Sequence, residues 1–181
     1  MIISVEELRQ HITTTEDDAV LEFKLKALEH SIRKHTQNNF QHRGFRREAD
    51  IVGSVFMVDA LTPFNPGDTV QVSQCKLSKG LYTVDEVTDS TFTVKEPVPD
   101  EKDVLVTKVV YPPDVKMGVI KLLKWEQSQG EKVGIQSETV SRHSVTYFNM
   151  DKDNALLGYP KSMLGFLQLY MQPQFGEGID T

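Results

Sequence analysis

The sequence predicts an α+β protein, a small helical bundle interrupted by an inserted five-stranded β-barrel. Three observations lead there. Apolar residues recur at helical spacing up to about Gln37, they alternate with polar residues from Ile51 to Tyr111, and helical spacing returns beyond Pro112. A chain of 181 residues has room for one domain with an insertion, or for two small domains.

Ser4-Val5-Glu6-Glu7 has the form of a capping box, in which the Ser4 hydroxyl accepts from the Glu7 amide, and it predicts a short helix from Val5 to about Ile12. Thr13-Thr14-Thr15 breaks that helix. Thr15-Glu16-Asp17-Asp18 then supplies a cap and first-turn acids for a second one. In the second helix Leu21, Leu25, Leu28 and Ile32 form an apolar stripe that Val20, Phe23 and Ala27 widen, so one broad face is expected to be buried. Glu22, Lys26, Glu29 and Arg33 are expected on the opposite face, and Asn38-Asn39 ends the helix.

From His30 to Arg47 there are five Lys or Arg residues, three His and no acid. This basic stretch reads either as a solvated helix end, where cations suit the C-terminal dipole, or as a contact for DNA or an acidic partner.

Strands are expected at Ile51–Val58, Thr69–Val72, Leu81–Val87, Thr91–Val94 and Val104–Tyr111, where β-branched residues alternate with polar ones. Asn65-Pro66-Gly67-Asp68, Ser78-Lys79-Gly80 and Thr88-Asp89-Ser90 supply turns between them. Short strands with tight turns favour closure, which removes exposed edges. Gly67-Asp68-x-Val70-x-Val72, followed by Gly80-Leu81-Tyr82-x-Val84, resembles an SH3-like barrel. The many acids of the segment, among them Asp85, Glu86, Asp89, Glu96, Asp100, Glu101 and Asp103, are expected to be solvated and do not suit a nucleic-acid surface.

Pro112-Pro113-Asp114 opens a third helix, with Val115, Val119, Leu122 and Leu123 on its apolar stripe, and Gly130 ends it. From Glu131 to Gly158 neither period holds, which predicts a long functional loop or one that orders on assembly. Pro160 opens a last, almost wholly apolar helix through Met163, Phe166, Leu167, Tyr170 and Met171, one flank of which is expected to meet another subunit. Residues 172–181 are expected to be a flexible tail.

Catalytic and cofactor motifs are missing from the sequence: no Gly-rich phosphate loop, no His-Glu-x-x-His and no Ser elbow. The expectation is a non-enzyme without cofactor or metal. Cys75 stands alone, so it forms no disulfide within the chain. His30 and His35, five apart, do not share a helix face as metal ligands would, and His42 falls in an expected loop. Ser137, Glu138 and His143 are nucleophile, acid and base by type but share a polar loop. The net charge of −6 argues against wrapping nucleic acid with the whole surface. No apolar run approaches the roughly 20 residues of a membrane helix, and the first residues do not read as a secretory signal, so synthesis and retention in the cytoplasm are expected.

The order of parts resembles the head-tail connector (adaptor) proteins of long-tailed bacteriophages and prophages. The likeness rests on Ser4-x-x-Glu7-Leu8, the acid-opened second helix and Pro113-Asp114-x-x-x-Gly118-x-Ile120 ending near Trp125. Its best local match is Val133-Gly134-Ile135-Gln136-Ser137-Glu138-Thr139-Val140-Ser141-Arg142-His143-Ser144-Val145-Thr146-Tyr147. It covers about two-thirds of the chain and divides it into a connector core at 1–47 and 112–171, a barrel module at 48–111, an assembly loop at 131–158 and a tail.

The resemblance implies about a dozen copies in a ring under the portal protein at the capsid vertex. Such a ring extends the channel through which genomic DNA passes without specific binding, and docks a head-closure or tail-completion protein. Its implied location is the virion, at the head–tail interface, after synthesis in the bacterial host. Portal or subunit contacts are expected from Ile135, Ser137, Glu138, Val145, Tyr147, Phe148, Met163, Phe166, Leu167 and Tyr170, and Glu22 and Glu29 are expected to face the channel. The module itself is expected on the outer rim, away from packed subunit interfaces. The other function the sequence allows is a nucleic-acid-binding or regulatory module that uses the barrel and the basic residues of 33–47.

Overall fold

Gly53 and Ser54 both take positive φ, 58° and 66°, as in the two-residue hairpin turns whose twist matches that of the strands they join. They split the strand expected at Ile51–Val58 into two, β1 (Gln41–Val52) and β2 (Val55–Val58). The computed structural model describes residues 1–59, 62–129, 137–140, 143–146 and 155–173, with the backbone alone at 129, 137–140 and 143–146. The chain divides into two units, one of Met1 with Asn39–Tyr111 and one of Ile2–Asn38 with Pro112–Thr181.

The first unit is a closed antiparallel barrel of six strands. After β1 and β2 come β3 (Thr69–Ser73), β4 (Gly80–Val87), β5 (Thr91–Val94) and β6 (Glu101–Val109), in the order β1-β2-β5-β4-β3-β6. Closure comes from β1, which pairs with β2 on one side and with β6 on the other. This overturns the expected architecture of a helical bundle with a five-stranded SH3-like insertion. The protein is a small α+β chain whose largest element is a six-stranded barrel, with few helices.

The reason lies in β1. Its first two-thirds, Gln41 to Glu48, has no apolar alternation because its side chains are exposed or half-buried, yet its backbone pairs with β6 at Arg46↔Thr107, Arg47↔Val106 and Glu48↔Leu105. The barrel unit therefore begins at Asn39 rather than at residue 48.

Alternate residues of the six strands fill the interior: Ile51, Phe56, Val70, Val72, Val84, Phe92, Val104 and Val106 are all buried. Phe56 and Phe92 stack with ring centres 4.6 Å apart, and Phe64 meets Phe92 edge-on at 5.1 Å. Each such ring contributes about 1.5–3 kcal/mol by burial, with a further increment from the aromatic geometry.

In the second unit, α1 (Val5–Arg9) is capped by Ser4, whose Oγ accepts from the Glu7 amide at 3.0 Å. Next, α2 (Asp18–Thr36) buries Leu21, Leu25, Leu28 and Ile32 and ends at Gln37, which takes a left-handed conformation. Pro113 opens α3 (Pro113–Gln129), which buries Val115, Val119, Ile120, Leu122 and Leu123.

Within 131–158, where neither period was expected to hold, a two-stranded antiparallel ribbon forms from β7 (Ser137–Val140) and β8 (His143–Thr146). A second short pair, β9 (Ala155–Leu156) with β10 (Tyr159–Pro160), precedes the last helix. That helix, Lys161–Tyr170, is a 3-10 helix. With three residues per turn its side chains stack in rows of i and i+3.

Candidate assembly surfaces

The 3-10 winding sorts the apolar C-terminal sequence into rows with different fates. Leu164 and Leu167 form the buried row, and Tyr170 continues it, donating its hydroxyl to both carboxylate oxygens of Asp114 at 2.8 Å. That hydrogen bond, more than burial, raises the Tyr170 phenol above its ordinary pKa. The next row is Met163, Phe166 and Leu169, with the first two half-buried and Leu169 85% exposed. The helix thus has one packed flank and one presented flank, as its apolar sequence led one to expect, but wound as a 3-10 helix.

The presented row walls a groove of about 350 Å³. One side is α3, through Asp114, Met117, Gly118 and Lys121, and the other is Ser162, Met163, Gly165 and Phe166. Gly118 is needed there, because a Cβ at this position would stand 2.4 Å from the Phe166 ring. Gly165 faces open space, with nothing within 4 Å of where a Cβ would be.

A second apolar surface lies on α2. The broad face expected from Val20, Phe23 and Ala27 is not buried: Phe23 is 75% exposed, Val20 is 45% exposed, and Ala27 is exposed. Two residues along a helix turn it through about 200°, so Phe23, midway between Leu21 and Leu25, points away from the stripe they form. Ala19, Val20, Phe23 and Ala27 share this outer face. Glu22 flanks it, paired with Lys26 at 2.8 Å.

Glu29, expected on the solvent side and facing a channel, is buried at 4% exposure. Its position borders the Leu25–Leu28–Ile32 stripe rather than opposing it. Of the two channel-facing candidates, Glu22 alone lies near the surface.

A polar network pins the elements of this unit together. Lys24 bridges Glu16 at 2.7 Å and Glu126 at 3.0 Å, and Tyr159 donates to the other oxygen of Glu126 at 2.8 Å. Burial pushes Lys24 down, but the hydrogen bonds and charges of Glu16 and Glu126 outweigh it and leave its pKa above the ordinary value. Burial, reinforced by Glu126, pushes the Tyr159 phenol far up, so it remains a donor.

The basic stretch divides: Arg33, Lys34 and His35 lie in the last turn of α2, at a helix end as one of the two readings had it, while His42, Arg43, Arg46 and Arg47 fall on β1 and not in a loop. Between Gln41↔Val109 and Arg46↔Thr107 the register shifts, because four residues, His42 to Phe45, stand opposite Lys108 alone. The four bulge out exposed, with the His42 and Phe45 rings 4.6 Å apart and the Lys108 ammonium 5.5 Å from the Phe45 centre. Part of the local donor capacity is engaged, with Lys108 on an acid and the arginines on neutral acceptors. Arg46 donates to Thr107 and Gln41, Arg47 donates to the Arg46 carbonyl, and Lys108 pairs with Asp68 at 2.6 Å.

Several barrel acids, exposed or half-buried, also hold backbone. Glu101 accepts from the Ser78 hydroxyl at 2.7 Å and from the amides of Lys76, Leu77 and Ser78, and the hydroxyl, ahead of the amides, holds its pKa at about 2. Asp100 accepts from Gly53, Glu96 from Thr83 and Asp50 from Asp103.

Of the expected contact residues, Met163 and Phe166 line the groove, Tyr170 is spent on Asp114, and Leu167 is buried in the unit's own interior, out of reach of a partner. Ser137 and Glu138 lie on β7 and Val145 on β8, in register as Ser137↔Thr146 and Glu138↔Val145. Ile135, Tyr147 and Phe148 lie outside the described residues, as does the tail from 174. Among the described residues no group of three or more His, Cys, Asp and Glu could hold a metal ion, and no helix is long and apolar enough to cross a membrane. The Phe23 face was missed in the sequence, although its place between Leu21 and Leu25 was a readable signal. No protein-family model and no curated protein matches the chain.

Proposed function

We propose that the chain is a structural head-tail connector of a tailed phage. It is a subunit of a ring under the portal that extends the DNA channel and docks the next neck or tail protein. The observation that carries this reading is the run from Val133 to Tyr147 that follows α3, which resembles the corresponding stretch of connector proteins. Two features of the second unit support it: an exposed apolar face on α2 and an apolar groove beside the C-terminal helix, both suited to protein contacts. Portal contact is assigned to the C-terminal part, through the exposed Leu169. The portal, neighbouring copies and a head-closure or tail-completion protein are the partners, and the site of action is the virion neck.

The test is to mix the purified chain with tailless capsids and, separately, with DNA. Recruitment to the capsid vertex is the expected result. Nucleic-acid binding without recruitment would move the function to the exposed His42–Phe45 bulge.

A further inference from the structure

We propose that the outer face of α2, led by Phe23, seats in the groove between α3 and the C-terminal 3-10 helix of a second copy of this chain, joining copies head to tail. The inference deepens the connector reading and rests on it for closure into a ring, but the contact itself is argued from the surfaces.

The α2 face is a convex apolar stripe, Ala19, Val20, Phe23 and Ala27, whose largest side chain is 75% exposed. The groove is concave, about 350 Å³, with an apolar floor of Met117, Met163 and Phe166 and two glycines, Gly118 and Gly165, that leave it open. Phe23 is not among the residues that line it, so knob and hole are different patches of one unit. Different patches make a heterologous contact, which propagates from copy to copy and closes when the rotation allows.

Charge fits the same pairing. Lys121 on the groove wall is exposed and has no hydrogen bond or ion pair among the described residues. Glu22, next to Phe23 and held by Lys26 at 2.8 Å, comes to that wall when the ring enters and shares its carboxylate with Lys121, and complementary charge then sets the register of the contact. An aromatic anchor in a desolvated pocket with a charged rim is the usual form of an interface hot spot.

The test uses the full chain with Cys75→Ser, carrying Ala27→Cys and Ser162→Cys so that Phe23 stays in place, oxidised at high concentration and also after mixing with tailless capsids. Head-to-tail contact gives a ladder of covalent oligomers. A blocking variant, Gly165→Leu, adds a side chain where nothing lies within 4 Å, so the fold is kept while the groove is filled. Placed in the cysteine pair it should abolish the ladder, and alone it should weaken self-association in sedimentation at least tenfold, as should Phe23→Asp.

A disulfide closed within one copy, dimers only, or no cross-link in either setting overturns the proposal. So does an undiminished ladder with Gly165→Leu. Recruitment to capsids without a ladder sinks this contact and leaves the connector reading standing. A ladder without recruitment upholds the contact and sinks that reading.

Discussion

The Phe166 ring rests on the backbone of Gly118, so close that a Cβ there would stand 2.4 Å from it. This single approach lets the C-terminal 3-10 helix lie against α3. Gly118→Ala gains about 1 kcal/mol of helix propensity and loses about 1–3 kcal/mol to overpacking, for a net destabilisation of about 1 kcal/mol. In a Phe166→Ala background the clash is gone and Gly118→Ala becomes stabilising. Denaturant unfolding of the four members of the cycle checks this, and additivity would contradict it.

The Glu101 cradle predicts a pH dependence. Its folded pKa, about 2, lies below the ordinary 4.5. A depressed carboxylate stabilises the fold fully above its unfolded pKa, and this stabilisation is lost as pH falls from there through the folded value. Glu101→Gln should therefore lower stability at pH 7 and flatten the acid limb between about pH 4.5 and 2. An unchanged acid limb in the variant would show that the cradle contributes nothing.

In the barrel, Phe92 is the hub between Phe56 and Phe64. Phe92→Ala should cost about 3–5 kcal/mol, combining lost transfer energy and the cavity left behind, as read from denaturant midpoints. A loss under about 1 kcal/mol would mean that the interior collapses onto the gap.

Tyr159→Phe removes the donor to Glu126 while Lys24 remains on its other oxygen. A hydrogen bond to a charged group is worth about 1.5–3 kcal/mol, and that loss is expected in thermal unfolding. Full stability would place the hydroxyl's partner in solvent.

The presented row of the last helix separates attachment from folding. Deleting Met163–Met171 would strip Leu164 and Leu167 from the interior, so a loss of attachment would follow from unfolding alone. Leu169→Glu, at a side chain 85% exposed, should change stability by less than about 0.5 kcal/mol yet weaken capture by tailless capsids. Normal capture would remove Leu169 from the portal contact. Removing residues 172–181 should leave folding intact, and unfolding of that variant would contradict the reading of this tail.

How much of this was legible in the sequence depended on where the information lay. The Ser4 cap, the Pro113 helix start and the alternating strands at Thr69 and Thr91 are local signals, and the structure has those elements. The start of β1 is held by pairing with β6, across nearly the whole barrel sequence, and its exposed and half-buried side chains carry no period to read. The 3-10 winding of Lys161–Tyr170 depends on packing that buries only Leu164 and Leu167, which composition does not encode. Phe23 and Glu29 went astray for one reason: an apolar residue was assigned to the core and a charged one to solvent, where helical angle decided both. At the site, Met163 and Phe166 were found by composition, while Gly118, Gly165 and Lys121 matter only through a groove that exists after folding.

The central claim is tested most directly by imaging tailless capsids after incubation with the purified chain. The account predicts a closed ring of copies added beneath the portal at the single tail vertex. Capsids that keep a bare portal at saturating chain, with the chain still monomeric in solution, would contradict it.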